Sequence, residues 1–215
     1  MKAMAVKTAA PANGAQPKSA PRPSARERLL AAADALFYSE GVHVVGVDRI
    51  VEQAGVTKAS LYHTFGSKDA LVRAYLENHF ATRQASIARI LAAHATPREG
   101  LLGVFAELEK ALIGSEFRGC RFISASAEAR PGDASEVVAE RYRSWLRSLF
   151  SDLAAQAGAR NARQVGRQLA LLYDGAAVAA RMDKDRRAAA IVIRSAVVAL
   201  LDAAIPAKRG RRPAR

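Results

Sequence analysis

From residue 24 onward, apolar side chains recur at the three-to-four-residue spacing of helices that bury one face. Leu29, Ala33, Leu36 and Phe37 form the first such face. Ser24 and Glu27 stand before it at the spacing of a capping box, and Gly41 follows at a position suited to a helix stop. Ile50, Val51 and Ala54 mark a second, short helix that breaks at Gly55-Val56. Leu61 and Phe65 mark a third, behind the natural N-cap Thr57. Ser67 opens a long helix through Leu71, Ala74, Tyr75 and His79 toward Ala93. Pro97 opens the next, with Leu101, Phe105, Leu108 and Leu112 on its inner side. After a break over Gly114–Gly119, a short helix is predicted from Cys120 to Glu128, ended by Pro131-Gly132. Val138, Tyr142, Trp145, Leu149 and Leu153 then line one side of a helix running from Ser135 to Gly158. Two further helices are predicted, over 162–182 and 185–205. β-branched runs are short and alanine is abundant, so the pattern predicts an all-α protein of about nine helices.

The stretch from Gly46 to Leu71 carries the most chemistry. Two short helices joined by a tight turn, the second with Leu61 and Phe65 facing inward, leave Lys58, Ala59, Ser60, Tyr62 and His63 on the outer and leading faces. A helix-turn-helix presents such a set to the major groove of DNA, small residues allowing close approach and polar ones reaching phosphates and base edges. On the local pattern alone, an αα-hairpin in a helical core with merely solvated polar residues stays open.

Residues 26 to 75 narrow that choice. LLAAADALFYSEGV, the Ala-Gly-Val turn, Leu-Tyr-x-x-Phe in the following helix and Ser-Lys-x-x-Leu at the next opening together resemble the N-terminal DNA-binding domain of the tetracycline-repressor (TetR) family. The resemblance covers about a quarter of the chain. It implies DNA contacts from Thr57, Lys58, Ala59, Ser60, Tyr62, His63 and Lys68. Lys58 and Lys68 would meet phosphates, Thr57 would donate to a phosphate as well as cap, and Ala59 would approach a thymine methyl. One departure stands out: Val45 and Gly46 occupy the entry of the motif's first helix, where the family commonly carries a hydroxyl residue. A backbone amide there is still able to hold a phosphate.

The resemblance also implies a helical second domain that encloses a small-molecule effector and dimerises. The expected division is a basic tail over 1–23, the DNA-binding domain over 24–70, an effector-binding and dimerisation domain over 71–206, and a second basic tail over 207–215. Candidate effector contacts are His79, Phe105, Phe122, Trp145 and Tyr173. Aromatic residues at helical spacing serve equally as plain core. The helix over 185–205 is apolar nearly all round and must be covered on both sides. The helix over 162–182 carries small residues at Gly175-Ala176-Ala177, Ala179 and Ala180. Both are therefore expected to pair with their counterparts in a homodimer that binds a palindromic operator in double-stranded DNA, the alternative being that both are simply internal core, and repression is favoured because a bound dimer blocks polymerase unaided.

Composition sharpens this reading. The chain of 215 residues has a net charge of +13, and the stretches before Ser24 and after Ala207 hold nine basic residues and no acid. Such tails fit a polyanionic partner, or solubility alone. The single cysteine, Cys120, excludes an internal disulfide framework and fits a reducing cytoplasm. As a redox switch it competes with the reading of an inert, small apolar residue. No signal peptide is seen, and no apolar run reaches the length needed to span a bilayer, so a cytoplasmic protein without membrane contact is expected. His43, His63, His79 and His94 are scattered without metal-ligand spacing, and no nucleophile elbow, phosphate loop or dinucleotide fingerprint occurs. No enzyme activity, cofactor or metal is expected. A sequence-neutral DNA-packaging protein is the nearer rival, with an all-helical enzyme behind it.

Overall fold

The computed structural model describes residues 23–183 and 185–206, and the two basic tails called from sequence lie, but for Pro23, outside the described residues. Nine helices are present among the described residues: α1 (Ala25–Glu40), α2 (Val47–Ala54), α3 (Lys58–Phe65), α4 (Lys68–Ala92), α5 (Pro97–Ile113), α6 (Arg121–Ala127), α7 (Ala134–Gln156), α8 (Ala162–Met182) and α9 (Arg186–Ala204). The all-α architecture expected from the periodicity is the one observed, and the predicted boundaries differ from it by one or two residues.

Local chemistry sets most of these ends. Ser24 and Glu27 form the reciprocal capping box at the start of α1, and Thr96 and Glu99 form another at α5, where Pro97 occupies the first turn. Thr57 and Ser67 each accept a hydrogen bond from a backbone amide three residues on, fixing the starts of α3 and α4. Between α2 and α3, Gly55 adopts φ 61° and ψ 42°, a left-handed conformation that a residue with a Cβ enters only at a cost. That turn lets α3 leave α2 abruptly, and the Arg28 guanidinium of α1 donates to the Gly55 carbonyl at 3.0 Å to hold it.

One contiguous apolar cluster runs from α1 to α9. Leu29, Ile50, Leu61 and Leu71, all fully buried, lock α1, α2 and α3 onto the start of α4. α7 and α8 approach closely because Gly166 has no side chain: a Cβ there would lie 2.2 Å from Ser151 Oγ and 2.5 Å from its backbone nitrogen. α9 packs on α5 and α8 through Ala190, Ile193, Val197 and Leu201. The expectation that α9 is covered on both sides is not met within one chain, since Ile191 and Val192 remain exposed. The small residues of α8 also divide. Ala176, Ala177 and Ala180 are buried inside the chain, whereas Gly175 faces open space.

Candidate nucleic-acid interface and effector cavity

α3 is amphipathic across its short length. Leu61 is fully buried and Phe65 is partly buried against the core, with the Arg26 guanidinium over its ring at 5.6 Å. On the opposite side Lys58, Ala59 and His63 are exposed, Tyr62 is 50% exposed, and Ser60 is half-buried. Thr57 is exposed, and its Oγ1 lies 3.0 Å from Ser60 Oγ and accepts from the Ser60 amide at 3.2 Å. Both hydroxyls are therefore already tied to the helix start. Lys58 forms an ion pair with Asp48 of α2, and that hydrogen bond raises its pKa. Lys68, at the start of α4, is half-buried, and desolvation lowers its pKa. Gly46 caps α2 with no side-chain hydrogen bond, as the missing hydroxyl requires, and the adjacent Val45 is buried.

A cavity of about 410 Å³ lies among α4, α5, α6, α7 and α8, with Tyr38 of α1 in its wall. Of the candidate effector residues it brings together His79, Phe122 and Tyr173. Phe105 is not in the lining. It is buried behind it, stacked on Phe150 with ring centroids 5.5 Å apart and edge-on to Tyr173 at 5.7 Å. Trp145 turns the other way, packing on Phe80 at 5.4 Å and facing an outer groove with Glu77, Gln84 and Arg141.

The cavity wall also contains Arg83 and Arg121, which sequence periodicity does not single out, and Tyr142 and Cys120, which were not among the candidate effector contacts. Burial pushes the phenols of Tyr142 and Tyr173 well up or up from their ordinary values, so both stay neutral hydrogen-bonding groups. Burial likewise pushes the Cys120 thiol up, against the thiolate that a reactive cysteine requires.

The cavity and the N-terminal helices meet at one polar junction. Asp34 of α1 holds both His79 Nε2 of α4, at 2.7 Å, and Arg121 Nε of α6, at 3.3 Å, through the same Oδ1. The hydrogen bond with His79 keeps the Asp34 carboxyl below its usual range. Arg121 also stacks over the Tyr38 ring at 3.6 Å, and the Tyr38 hydroxyl accepts from the Arg118 amide at 2.8 Å. Nearby, Glu128, at the end of α6, accepts from the His43 amide at 3.0 Å, and Asp69 of α4 accepts from the Ala134 amide of α7 at 3.0 Å.

Comparison with known proteins is consistent with this geometry. The family model of bacterial regulatory proteins of the tetR family matches residues 29–75, the span from α1 into α4. The crystal structure of SCO4454, a TetR-family transcriptional regulator from Streptomyces coelicolor, shares 31% identity and a TM-score of 0.81 over 85% of this chain and 96% of that one. The chain belongs to the TetR family. Two further relatives match over part of the chain. The transcriptional activator FasR of Mycolicibacterium smegmatis is 44% identical over 59 residues, 27% of each chain. The transcriptional repressor NemR of Escherichia coli is 30% identical over 105 residues, 48% of this chain and 53% of that one. The match thus spans about a quarter of one curated TetR-family relative and about half of the other. Among the described residues of this TetR-family chain, no helix is long and apolar enough to cross a membrane, and no group of three His, Cys, Asp or Glu side chains is disposed to hold a metal ion.

Proposed function

We propose that this TetR-family regulator binds a palindromic operator in duplex DNA as a homodimer, and that a small molecule in the 410 Å³ cavity releases it. The observation that carries the reading is α3. Its inner residue Leu61 is fully buried, while Lys58, Ala59, Tyr62 and His63 are exposed on the outer face. Residues 24–70 form the DNA-binding unit in this reading, and 71–206 the effector-binding and dimerisation unit. Thr57, Lys58 and Lys68 meet phosphates, and Ala59, Ser60, Tyr62 and His63 share phosphate and base-edge contacts. The chain acts in the cytoplasm, where the chromosome lies, without catalysing a reaction.

Dimerisation is supported by an apolar stripe that one chain leaves uncovered. Leu171, Val178 and Met182 of α8 lie beside Gly175 at spacings that share a face, and with Ile191 and Val192 of α9 they are between 40% and 77% exposed. Pairing α8 and α9 with their counterparts covers this stripe and sets two α3 helices to enter successive major grooves, about 34 Å or somewhat more apart. Release requires that the ligand favour a different spacing, because equal affinity for both spacings shifts nothing. The junction at Asp34 offers the route, since α1, α4 and α6 meet there and each contributes to the cavity wall.

Selection of bound DNA from a random pool, followed by footprinting, tests the reading. A discrete protected palindrome is expected, and uniform coverage would indicate packaging instead. Tyr62→Ala and Lys68→Ala are each expected to weaken operator binding about tenfold without lowering the melting temperature by more than a few degrees. Two variants that bind as tightly as the parent would mean that another surface meets DNA.

A further inference from the structure

Taking the cavity as the effector site, the ligand's chemistry is written in its charge. Arg83, on α4, lines the cavity beside Phe117, Phe122 and Leu108, and the other two basic groups of the wall, Arg121 and His79, are already held by Asp34. Among the described residues it has no ion-pair partner within 4.0 Å. Three acids on the helices around the cavity are engaged elsewhere: Asp174 with Arg143 at 2.9 Å, Glu107 with Lys110 at 3.7 Å, and Asp34 with His79 and Arg121. Glu116, the one acid of the lining, is exposed at the mouth. A half-buried guanidinium without a counter-ion is costly unless something completes it, because its fork of N–H donors matches a bidentate acceptor. The phenols of Tyr142 and Tyr173 line the same wall, neutral by virtue of their burial, and the hydrogen bond between them leaves one hydroxyl proton free to donate.

We propose that the effector is a small organic anion, a carboxylate on an aromatic or aliphatic body, whose charged end is clasped by Arg83 with Tyr142 and Tyr173 while its body lies against Phe122 and Leu108. The volume falls within the range of about 300–1,000 Å³ common for small-molecule sites, so the body is a ring system or a medium-length chain. Carboxylate and guanidinium form parallel hydrogen bonds in a water-poor wall, where charge-assisted pairs are strongest. A neutral isostere leaves the cation uncompensated and is disfavoured.

The test is calorimetric titration of the full-length protein, without DNA, with benzoate, salicylate, 2-naphthoate and decanoate, each beside its neutral primary amide. At least one carboxylate is expected to bind at least tenfold more tightly than its amide. Arg83→Met is expected to remove that preference, and Arg83→Lys to restore part of it by charge alone. The same Arg83→Met variant is expected to melt at or above the parent temperature, since it deletes an unpaired charge, whereas a purely structural arginine would lower it. Tyr173→Phe is expected to weaken the carboxylate several-fold. If no carboxylate outbinds its amide, or if Arg83→Met keeps the preference, the anionic effector is refuted. Operator release is measured separately. A carboxylate that binds through Arg83 but leaves operator affinity unchanged would overturn the effector role of the cavity and leave the anion site standing.

Discussion

Lys58 stands at the first position of α3 and meets a phosphate in the function proposed above, while in the free chain its ammonium is paired with Asp48. The pair is exposed on both sides, so it exchanges readily with a phosphate oxygen. Asp48 therefore acts as a weak competitor for the same charge. Asp48→Asn is expected to tighten operator binding several-fold at low salt and less at high salt, with a steeper dependence of affinity on salt concentration. Titration by fluorescence anisotropy across a salt series checks this. Unchanged affinity would mean that Lys58 does not meet phosphate. At this scale, the caps and the buried Leu61 were readable in the sequence because each depends on neighbours three or four residues away. Arg83 was not readable. A single arginine on a helix has the same local pattern whether it meets solvent or a cavity, and only the approach of α7 and α8 distinguishes the two.

At the scale of elements, the tightest contact is that of α7 with α8, and it depends on an atom that is missing. Gly166→Ala would drive a Cβ into Ser151 Oγ and the backbone of α7, so the helices must separate by a fraction of an ångström or more. We expect a destabilisation of about 1–3 kcal/mol by overpacking, read as a lowered midpoint in chemical denaturation. A midpoint equal to the parent's would show that α7 and α8 pack less closely than described. Nothing in the sequence around Gly166 marks this role, because a glycine within a helical pattern looks the same whether it admits a neighbour or merely weakens the helix. The aromatic residues illustrate the same boundary. Periodicity placed Phe105 and Trp145 on helix faces that turn inward, but one face of a helix spans several environments. Phe105 ends behind the cavity wall and Trp145 beside an outer groove. Arg194 interrupts the apolar run of α9 for a reason that lies far away in sequence: its guanidinium grips the buried carboxylate of Glu109 on α5.

For the molecule as a whole, the exposed stripe on α8 and α9 is the surface that the proposed dimer would cover. Leu171→Glu places a charge on that stripe without touching the chain's own core. The variant is expected to sediment as a monomer at micromolar concentration, to keep its helical circular-dichroism signal, and to lose most of its affinity for a full palindrome while retaining weak binding to a half-site. A variant that sediments like the parent would move the interface elsewhere. The all-α class and the order of the helices were legible from spacing alone, since helical periodicity is a local property. The split of α8 into an inward face of Ala176, Ala177 and Ala180 and an outward face of Leu171, Gly175 and Val178 was not, because it depends on which neighbours arrive.

Asp34 carries a last consequence. One carboxylate oxygen receives both His79 and Arg121, so it cannot follow two partners that travel in different directions. An excursion that parts α4 from α6 beside α1 therefore strains both bonds at once, until one partner passes to the carboxylate's second oxygen or to water. Such a shared atom ties the two helices to a single point, and resists their separation more than two independent pairs would.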